Sequence, residues 1–186
     1  MKTTIKHVWV AVNLSFALAG VALAQAPSKK LVGNNDRTRM AVVEFTPGPK
    51  ASGMSAEAKR QLQASIAFRL MKTNQFDIYD VRHTREASQA DLEAVNGAST
   101  AAAVRVGKQL KVKYVLTGTV DEYNPSGSAT LKPRLVEVAT GKVKYADELS
   151  HQSTKEMRTG GDVEMKTNVL LPITLRLAET LAAEEL

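Results

Sequence analysis

Acidic residues and histidines are the side chains of this sequence that could carry out acid–base or metal chemistry. Two histidines, His83 and His151, lie beyond the N-terminal segment, and the 186-residue chain contains no cysteine. The lack of cysteine excludes disulfides, thiolate metal sites and thiol nucleophiles. Hydrolysis of the glycosidase type would need two carboxylates that face one substrate. Three close acidic pairs come into consideration: Asp77 and Asp80, Asp121 and Glu122, and Asp147 and Glu148.

The spacing within each acidic pair disfavours joint catalysis. In a β-strand, successive side chains point to opposite faces, so residues one or three positions apart cannot reach the same substrate without a bulge. Each pair is therefore interpreted as ordinary exposed charge. A carboxylate pair assembled across two strands remains the alternative, and it would make the chain an unrecognised envelope hydrolase.

The two histidines also lack the neighbours that a metal site needs. No second histidine or carboxylate stands at ligand spacing beside His83 or His151, and we interpret both as solvent-facing. The sequence contains no P-loop, no glycine-rich dinucleotide motif, no nucleophile elbow and no HExxH zinc motif. We therefore predict no catalytic residue, no cofactor and no metal, and a protein that is not an enzyme. The partner-binding residues stay unknown.

Basic residues outnumber acidic ones and are spread along the chain. There are 25 Lys and Arg against 19 Asp and Glu, a formal net charge of +6. Lys108, Lys111 and Lys113 bracket a predicted helix end, where positive charge suits the helix dipole. The alternative is a weak contact with an anionic surface, such as lipid headgroups. Nucleic acid is disfavoured as a ligand because an exported protein is separated from it, and because aromatic residues do not alternate with the basic ones.

The N-terminus has the pattern of an export signal. Lys2 and Lys6 precede a mainly apolar stretch from Val8 to Val21, and Ala22-Leu23-Ala24 fits signal peptidase. A retained transmembrane anchor is the alternative, although the stretch is shorter than the roughly 20 residues of a span. Cleavage after Ala24 would lower the net charge from +6 to +4. We predict a periplasmic protein, with a peripheral position at the outer membrane left open. The predicted domains are a signal peptide (1–24), a flexible leader (25–38) and one periplasmic domain (39–186).

The mature chain alternates between strand and helix patterns and then contains several strands in succession. This order, β-α-β-α-β-β-β-α, predicts an α/β (α+β) domain with a mixed sheet of about five strands and helices packed on it. Pro47-Gly48-Pro49 is expected to stop the first strand, and Pro133 to lie at a sheet edge or bulge. Ser55 and Ser99 or Thr100 are the expected helix N-caps, and Gly107 is expected at a close helix–sheet contact. The predicted strands are 40–45, 75–81, 114–123, 129–138 and 142–149. One predicted helix begins after Ser55, and three more cover 89–95, 101–110 and 169–181, with Pro172 in the first turn of the last helix.

Four segments carry a resemblance to a known family. They are RMAVVEF (39–45), NQFDIYD (74–80), AAAVRVGKQLKVKYVLTGTV (101–120) and LVEVATGKV (135–143). Together they resemble the periplasmic core of the CsgG-like curli-secretion family and of LpoB-like activators of penicillin-binding proteins. The resemblance covers about residues 39–150. It implies a fold like that of anticodon-binding and TolB N-terminal domains, and it implies no active site.

Two departures from the family shape the functional expectation. The turn at 124–127 is too short for a transmembrane hairpin, which needs about 20 residues, and 151–168 lacks an alternating apolar pattern. The chain also lacks the cysteine that carries the lipid of both relatives. We therefore expect an accessory protein that docks an envelope partner, either a peptidoglycan synthase or a secretion or assembly component, with homo-oligomerisation left open. The alternatives are a subunit of a curli-type secretion ring and the envelope hydrolase considered above.

Overall fold

The computed structural model describes residues 37–87, 89–96, 98–154, 161–184 and 186. The predicted signal peptide and nearly all of the predicted leader lie outside these ranges, so both stay predictions. No helix within the described ranges is both long enough and apolar enough to cross a bilayer.

A mixed sheet of seven strands forms the centre of the domain. Its main path runs in the order β3-β1-β4-β5-β6, while β2 pairs with β4 and β7 pairs with β5. The pairs β1–β3, β1–β4 and β2–β4 are parallel, whereas β4–β5, β5–β6 and β5–β7 are antiparallel. The strands are β1 (Thr38–Val42), β2 (Thr46–Lys50), β3 (Phe76–Ile78), β4 (Tyr114–Asn124), β5 (Ser128–Glu137), β6 (Val143–Ala146) and β7 (Leu149–Gln152).

Helices cover both faces of this sheet. On the first face, α1 and α5 pack over a core that includes Leu116, Leu135 and Ile66. On the second face, α2 and α3 pack over a smaller core that includes Val115 and Val136. The helices are α1 (Ala56–Lys72), α2 (Gln89–Asn96), α3 (Thr100–Leu110), the short α4 (Gly161–Val163) and α5 (Leu171–Ala183), with a 3₁₀ turn at His83–Glu86 and a π-helical segment at Glu164–Leu170.

Local sequence signals correctly placed the helix starts and one close contact. The Ser55 hydroxyl accepts the Ala58 N–H at 3.0 Å, and the Ser99 hydroxyl accepts the Ala102 N–H at 3.2 Å. A Cβ on Gly107 would meet the Val138 side chain and lie 3.0 Å from Val115 Cγ2. α3 can therefore approach β4 and β5 closely because this helix position has no side chain.

The predicted mixed sheet with packed helices is confirmed, but the number of strands is higher than about five. The prediction that Pro47-Gly48-Pro49 stops the first strand is wrong, because β1 already ends at Val42 and both prolines lie within β2. Proline is tolerated there because β2 pairs only with β4 in the described chain, so the missing N–H groups break no second ladder. The predicted strand at 142–149 is in fact two strands, β6 and β7, separated by Asp147 and Glu148.

Pro133 was predicted at a sheet edge or a bulge, and the edge alternative is wrong because β5 has neighbours on both sides. The ladder is irregular here, however: β7 pairs with β5 up to Leu131, β6 pairs from Arg134 onward, and the β5–β6 register shifts after Leu135. Pro133 stands opposite Gly118 of β4, while its carbonyl accepts the Asp147 N–H at 3.4 Å. The nitrogen and the carbonyl of one strand residue point to the same side. The missing N–H therefore faces the break between β6 and β7, where it interrupts no regular ladder.

The C-terminal helix begins earlier than the apolar pattern indicated. Pro172 lies in the first turn of α5, as predicted. The π-helical segment Glu164–Leu170 comes directly before α5. There the Leu171 N–H bonds to the Lys166 carbonyl, five residues back. The wider turn accommodates a proline within a continuous helical stretch.

Candidate docking groove on the second sheet face

The helices of the second face leave part of the sheet uncovered. α2 and α3 lie over the beginning of β4 and the end of β5, and no helix of the described residues covers the later half of β4 on this side. A groove of about 430 Å³ occupies that place. Its lining comes from the end of α2 and the loop after it (Val95, Asn96, Ala98), from β4 (117–119), from β5 (132–134) and from the segment 146–148.

The floor of the groove is formed by β4 and β5. Thr117 is buried, Thr119 is half-buried, and Ala146 of β6 is exposed beside them. Gly118 contributes only backbone, because its missing side chain would point to the first face, toward Phe45. The floor is therefore built from short side chains and backbone, which lets another chain approach the sheet closely.

Three charged side chains form a network at one wall of the groove. Lys132 Nζ lies 2.5 Å from Asp121 Oδ2 and 3.3 Å from Glu148 Oε2. The Thr119 hydroxyl donates to Asp121 Oδ1 at 2.6 Å. Two hydrogen bonds, the larger effect from Lys132 and the smaller from Thr119, hold the pKa of Asp121 below its ordinary value. Asp121 is consequently ionised, which is opposite to the raised pKa of a glycosidase general acid.

Replacing Lys132 with methionine is expected to raise the pKa of Asp121 toward its ordinary value of 3.8. The hydrogen bond from Lys132 is the largest cause of the lowered pKa, and the variant keeps only the smaller contribution of the hydrogen bond from Thr119. A carboxyl whose pKa is lowered in the folded state adds stability above its unfolded pKa, and this stability is lost as the pH falls through the folded pKa. The variant should therefore lose less stability on acidification, and NMR titration of the Asp121 carboxyl carbon measures the shift. Lys142→Met is the control, and an unchanged Asp121 in Lys132→Met would refute the network.

The opposite wall is fixed by a contact between β5 and the loop after α2. Arg134 Nη1 donates to the Ala98 carbonyl at 3.0 Å. Ala98 adopts a left-handed backbone with a φ of 68°, a conformation that alanine rarely takes and that costs roughly 1 kcal/mol. The hydrogen bond from Arg134 holds this loop over the groove.

The groove continues to a free edge of the sheet. β6 pairs with β5 on one side, and among the described residues no strand pairs with its other side. Tyr145 of β6 donates to Asp147 Oδ2 at 3.3 Å, and burial together with Asp147 raises the pKa of Tyr145 to about 12. The phenol therefore stays protonated and holds the turn after β6 in place.

The other candidate residues from the sequence lie apart from the groove. Asp77 pairs with Arg39 at 3.2 Å. Asp80 accepts from Arg82, which keeps the pKa of Asp80 below its ordinary value, and lies 3.8 Å from His83 Nδ1. His151 is half-buried on β7. Across the described ranges, no three acidic or histidine side chains cluster as metal ligands would.

The sequence analysis left a carboxylate pair across two strands open, but it did not identify Asp121 and Glu148, which share Lys132 as a partner. Each was examined within its own pair, whereas the β4–β5 register and the turn after β6 bring them together around Lys132. Glu122, the neighbour of Asp121, accepts instead from the Ser128 hydroxyl at 2.8 Å. The signal available in the sequence was Lys132 itself, which stands at an alternating strand position between the two acidic pairs.

Three solved structures illustrate what this chain is similar to. PelC from Paraburkholderia phytofirmans, solved as a dodecamer, is 14% identical over 81% of this chain and 91% of its own, with a TM-score of 0.52. The lipoprotein GNA1162 from Neisseria meningitidis is 19% identical over 80% of this chain and 99% of its own, also with a TM-score of 0.52. The C-terminal domain of LpoB from Salmonella enterica is 16% identical over 62% of this chain and 83% of its own, with a TM-score of 0.47.

At these identities the similarity establishes the fold alone. No family model matches the chain, and no curated protein matches it. The α+β architecture is thus shared with PelC and GNA1162. The curli-secretion part of the sequence resemblance stays a prediction.

Proposed function

We propose that this chain is a non-enzymatic accessory protein of the cell envelope that docks a protein partner in the groove beside β6. The observation that carries the proposal is the half of the second sheet face that no described helix covers, which continues into β6, a strand with one free side among the described residues. Sheet faces in compact domains are normally covered by a second layer. A partner protein would supply that layer here.

The geometry favours an extended protein segment as the occupant. An edge strand offers unpaired N–H and C=O groups to an added strand, and the neighbouring groove offers space for alternate side chains. The side chains of Thr117, Thr119 and Ala146 are short, so a bound segment can lie close to the sheet. Lys132 and Arg134 already have partners within this chain, which leaves these walls pre-organised before binding.

The sequence resemblance supports an envelope location and one class of partner. Residues 39–150 resemble activators of penicillin-binding proteins, so a peptidoglycan synthase is the first partner to test. Activation would work by docking alone, with no bond made or broken by this chain.

A second candidate is a homo-oligomeric ring. The observation that favours it is the fold shared with PelC, which assembles as a dodecamer. In that case the groove and β6 would receive a second copy of this chain. The mass of the purified protein in solution, measured by light scattering, distinguishes a ring from a monomer.

Site-specific photo-crosslinking tests the docking proposal. A photoreactive amino acid at Ala146, in the groove, is expected to give a discrete adduct with one envelope protein, identified by mass spectrometry. The matched control is the same amino acid at Ala64, which is exposed on α1 on the other side of the sheet. Adducts of equal yield at both positions, or no adduct at Ala146, would contradict the proposal.

A further inference from the structure

One end of the domain collects positive charge. α1 and α3 finish there, and β1, β3 and β4 begin there, so the last turns of two helices lie beside the first residues of three strands. The Lys113 N–H donates to the Arg39 carbonyl at 3.0 Å, the Val138 N–H to the Lys113 carbonyl at 2.9 Å, and the Glu137 N–H to the Lys142 carbonyl at 2.9 Å. These bonds place the loop between β5 and β6 at the same end. We call this surface the basic end: Arg37, Arg39, Arg69, Lys72, Lys108, Lys111, Lys113 and Lys142.

Few acidic groups of the described residues offset this charge. Asp77 pairs with Arg39, Glu137 accepts from the Thr140 hydroxyl, and Glu184 lies close enough to β6 to act on Tyr145. Within the described ranges, no carboxylate lies at ion-pair distance from Lys108, Lys111 or Lys142. More cations are present than the helix dipoles require, since one or two charges in a last turn saturate that effect.

Large apolar side chains are exposed beside these cations. Phe68 is 46% exposed, Met71 47% and Val143 43%. Phe68 lies under both neighbouring cations, with Arg69 Cζ at 5.7 Å and Lys72 Nζ at 5.3 Å from the ring centroid. Exposed apolar groups mixed with Lys and Arg are typical of surfaces that lie in the headgroup region of a bilayer. There the rings and thioethers enter the acyl boundary and the cations contact phosphates.

The entry of the chain into the domain points the same way. Arg37, the first described residue, leads into β1 at the basic end. The predicted leader (25–38) precedes β1 in the sequence and carries two further cations, Lys29 and Lys30.

We propose that the basic end docks on a bilayer surface that carries anionic lipid headgroups. The exposed Phe68 and Met71 enter the interface, and Lys113 and its neighbours contact the headgroup phosphates. The groove beside β6 lies on a side face of the sheet and stays accessible for a protein partner. This surface is separate from the docking groove, so either proposal can fail while the other holds.

Sedimentation with lipid vesicles tests this proposal. The protein, purified from cells that export it, is mixed with vesicles of phosphatidylglycerol and phosphatidylcholine, or of phosphatidylcholine alone. Binding is expected to the anionic vesicles and to weaken as salt is added. The double variant Lys113→Glu with Lys142→Glu is expected to bind the anionic vesicles on the order of tenfold more weakly, because each cation near such a surface contributes appreciably.

A matched control separates the basic end from net charge. Lys50→Glu with Lys166→Glu makes the same change in charge at exposed positions near the other end of the sheet, and it should bind within about twofold of the parent. Thermal unfolding of both double variants verifies that they fold. Phe68→Ser removes the exposed ring and so tests the apolar contact separately from the charge. Equal losses in the two double variants, or equal binding to neutral vesicles, would overturn the proposal. So would Lys113-dependent binding to soluble polyphosphate without binding to vesicles.

Discussion

Replacing Gly118 with alanine is expected to lower the free energy of unfolding by about 3 kcal/mol. An added Cβ would meet the Lys132 carbonyl oxygen and lie 2.6 Å from Phe45 Cε1 and 2.9 Å from Pro133 Cα. Two of these three groups are backbone of the paired strand β5, which cannot move without breaking the β4–β5 ladder. Because the substitution adds one methyl group and no polarity, the loss measures steric crowding alone. Chemical denaturation of the purified protein gives the value.

Gly53→Ala is the control for that measurement. It lies in the turn before α1, and nothing stands within 4 Å of its ideal Cβ position. Its effect on stability should stay within about 0.5 kcal/mol, as for other unencumbered surface changes. A Gly118→Ala variant as stable as Gly53→Ala would mean that β4 and β5 do not pack as described, and the floor of the groove would have to be redrawn.

Filling the groove is expected to abolish most partner binding. Ala146→Trp places an indole over the floor formed by Thr117 and Thr119, and it excludes a segment that would lie there. Loss of contacts at the centre of an interface costs about 2 kcal/mol or more, so the affinity for the protein crosslinked at Ala146 should fall about thirtyfold. Titration calorimetry with that purified protein gives the dissociation constant.

The same substitution on the other side of the molecule provides the comparison. Ala64→Trp introduces an equal surface change on α1 and should leave the affinity within about twofold. Both variants keep the core intact because both alanines are exposed. If the two variants lose affinity equally, or if neither does, the groove is not the docking site.

The features that the sequence predicted well depend on neighbouring residues. Ser55 and either Ser99 or Thr100 were predicted as helix caps because a cap accepts an N–H three residues away, and the structure shows Ser55 and Ser99 in this role. The close approach at Gly107 followed from a glycine inside a helical pattern, which is tolerated where packing requires it. The mixed sheet followed from the order of strands and helices along the chain.

The features that were missed depend on residues far apart in sequence. β2 escaped detection because prolines are poor strand residues, and its edge position is set by β4, about 70 residues away. The network around Lys132 needs Asp121 from β4 and Glu148 from the turn after β6. The groove exists because α2 and α3 end before they reach the end of β4. The sequence of neighbouring residues does not predict how far a helix layer extends over a sheet.

Amide hydrogen exchange with and without the crosslinked partner tests most directly where this chain binds. If the groove is the docking site, binding of the partner should slow exchange of the amides of β6 and of Thr117 to Thr119, while the amides of α1 exchange as before. The edge of β6 should respond most, because an added strand would bond to its open side. Slower exchange confined to α1 and α5, with β6 unchanged, would contradict docking in the groove.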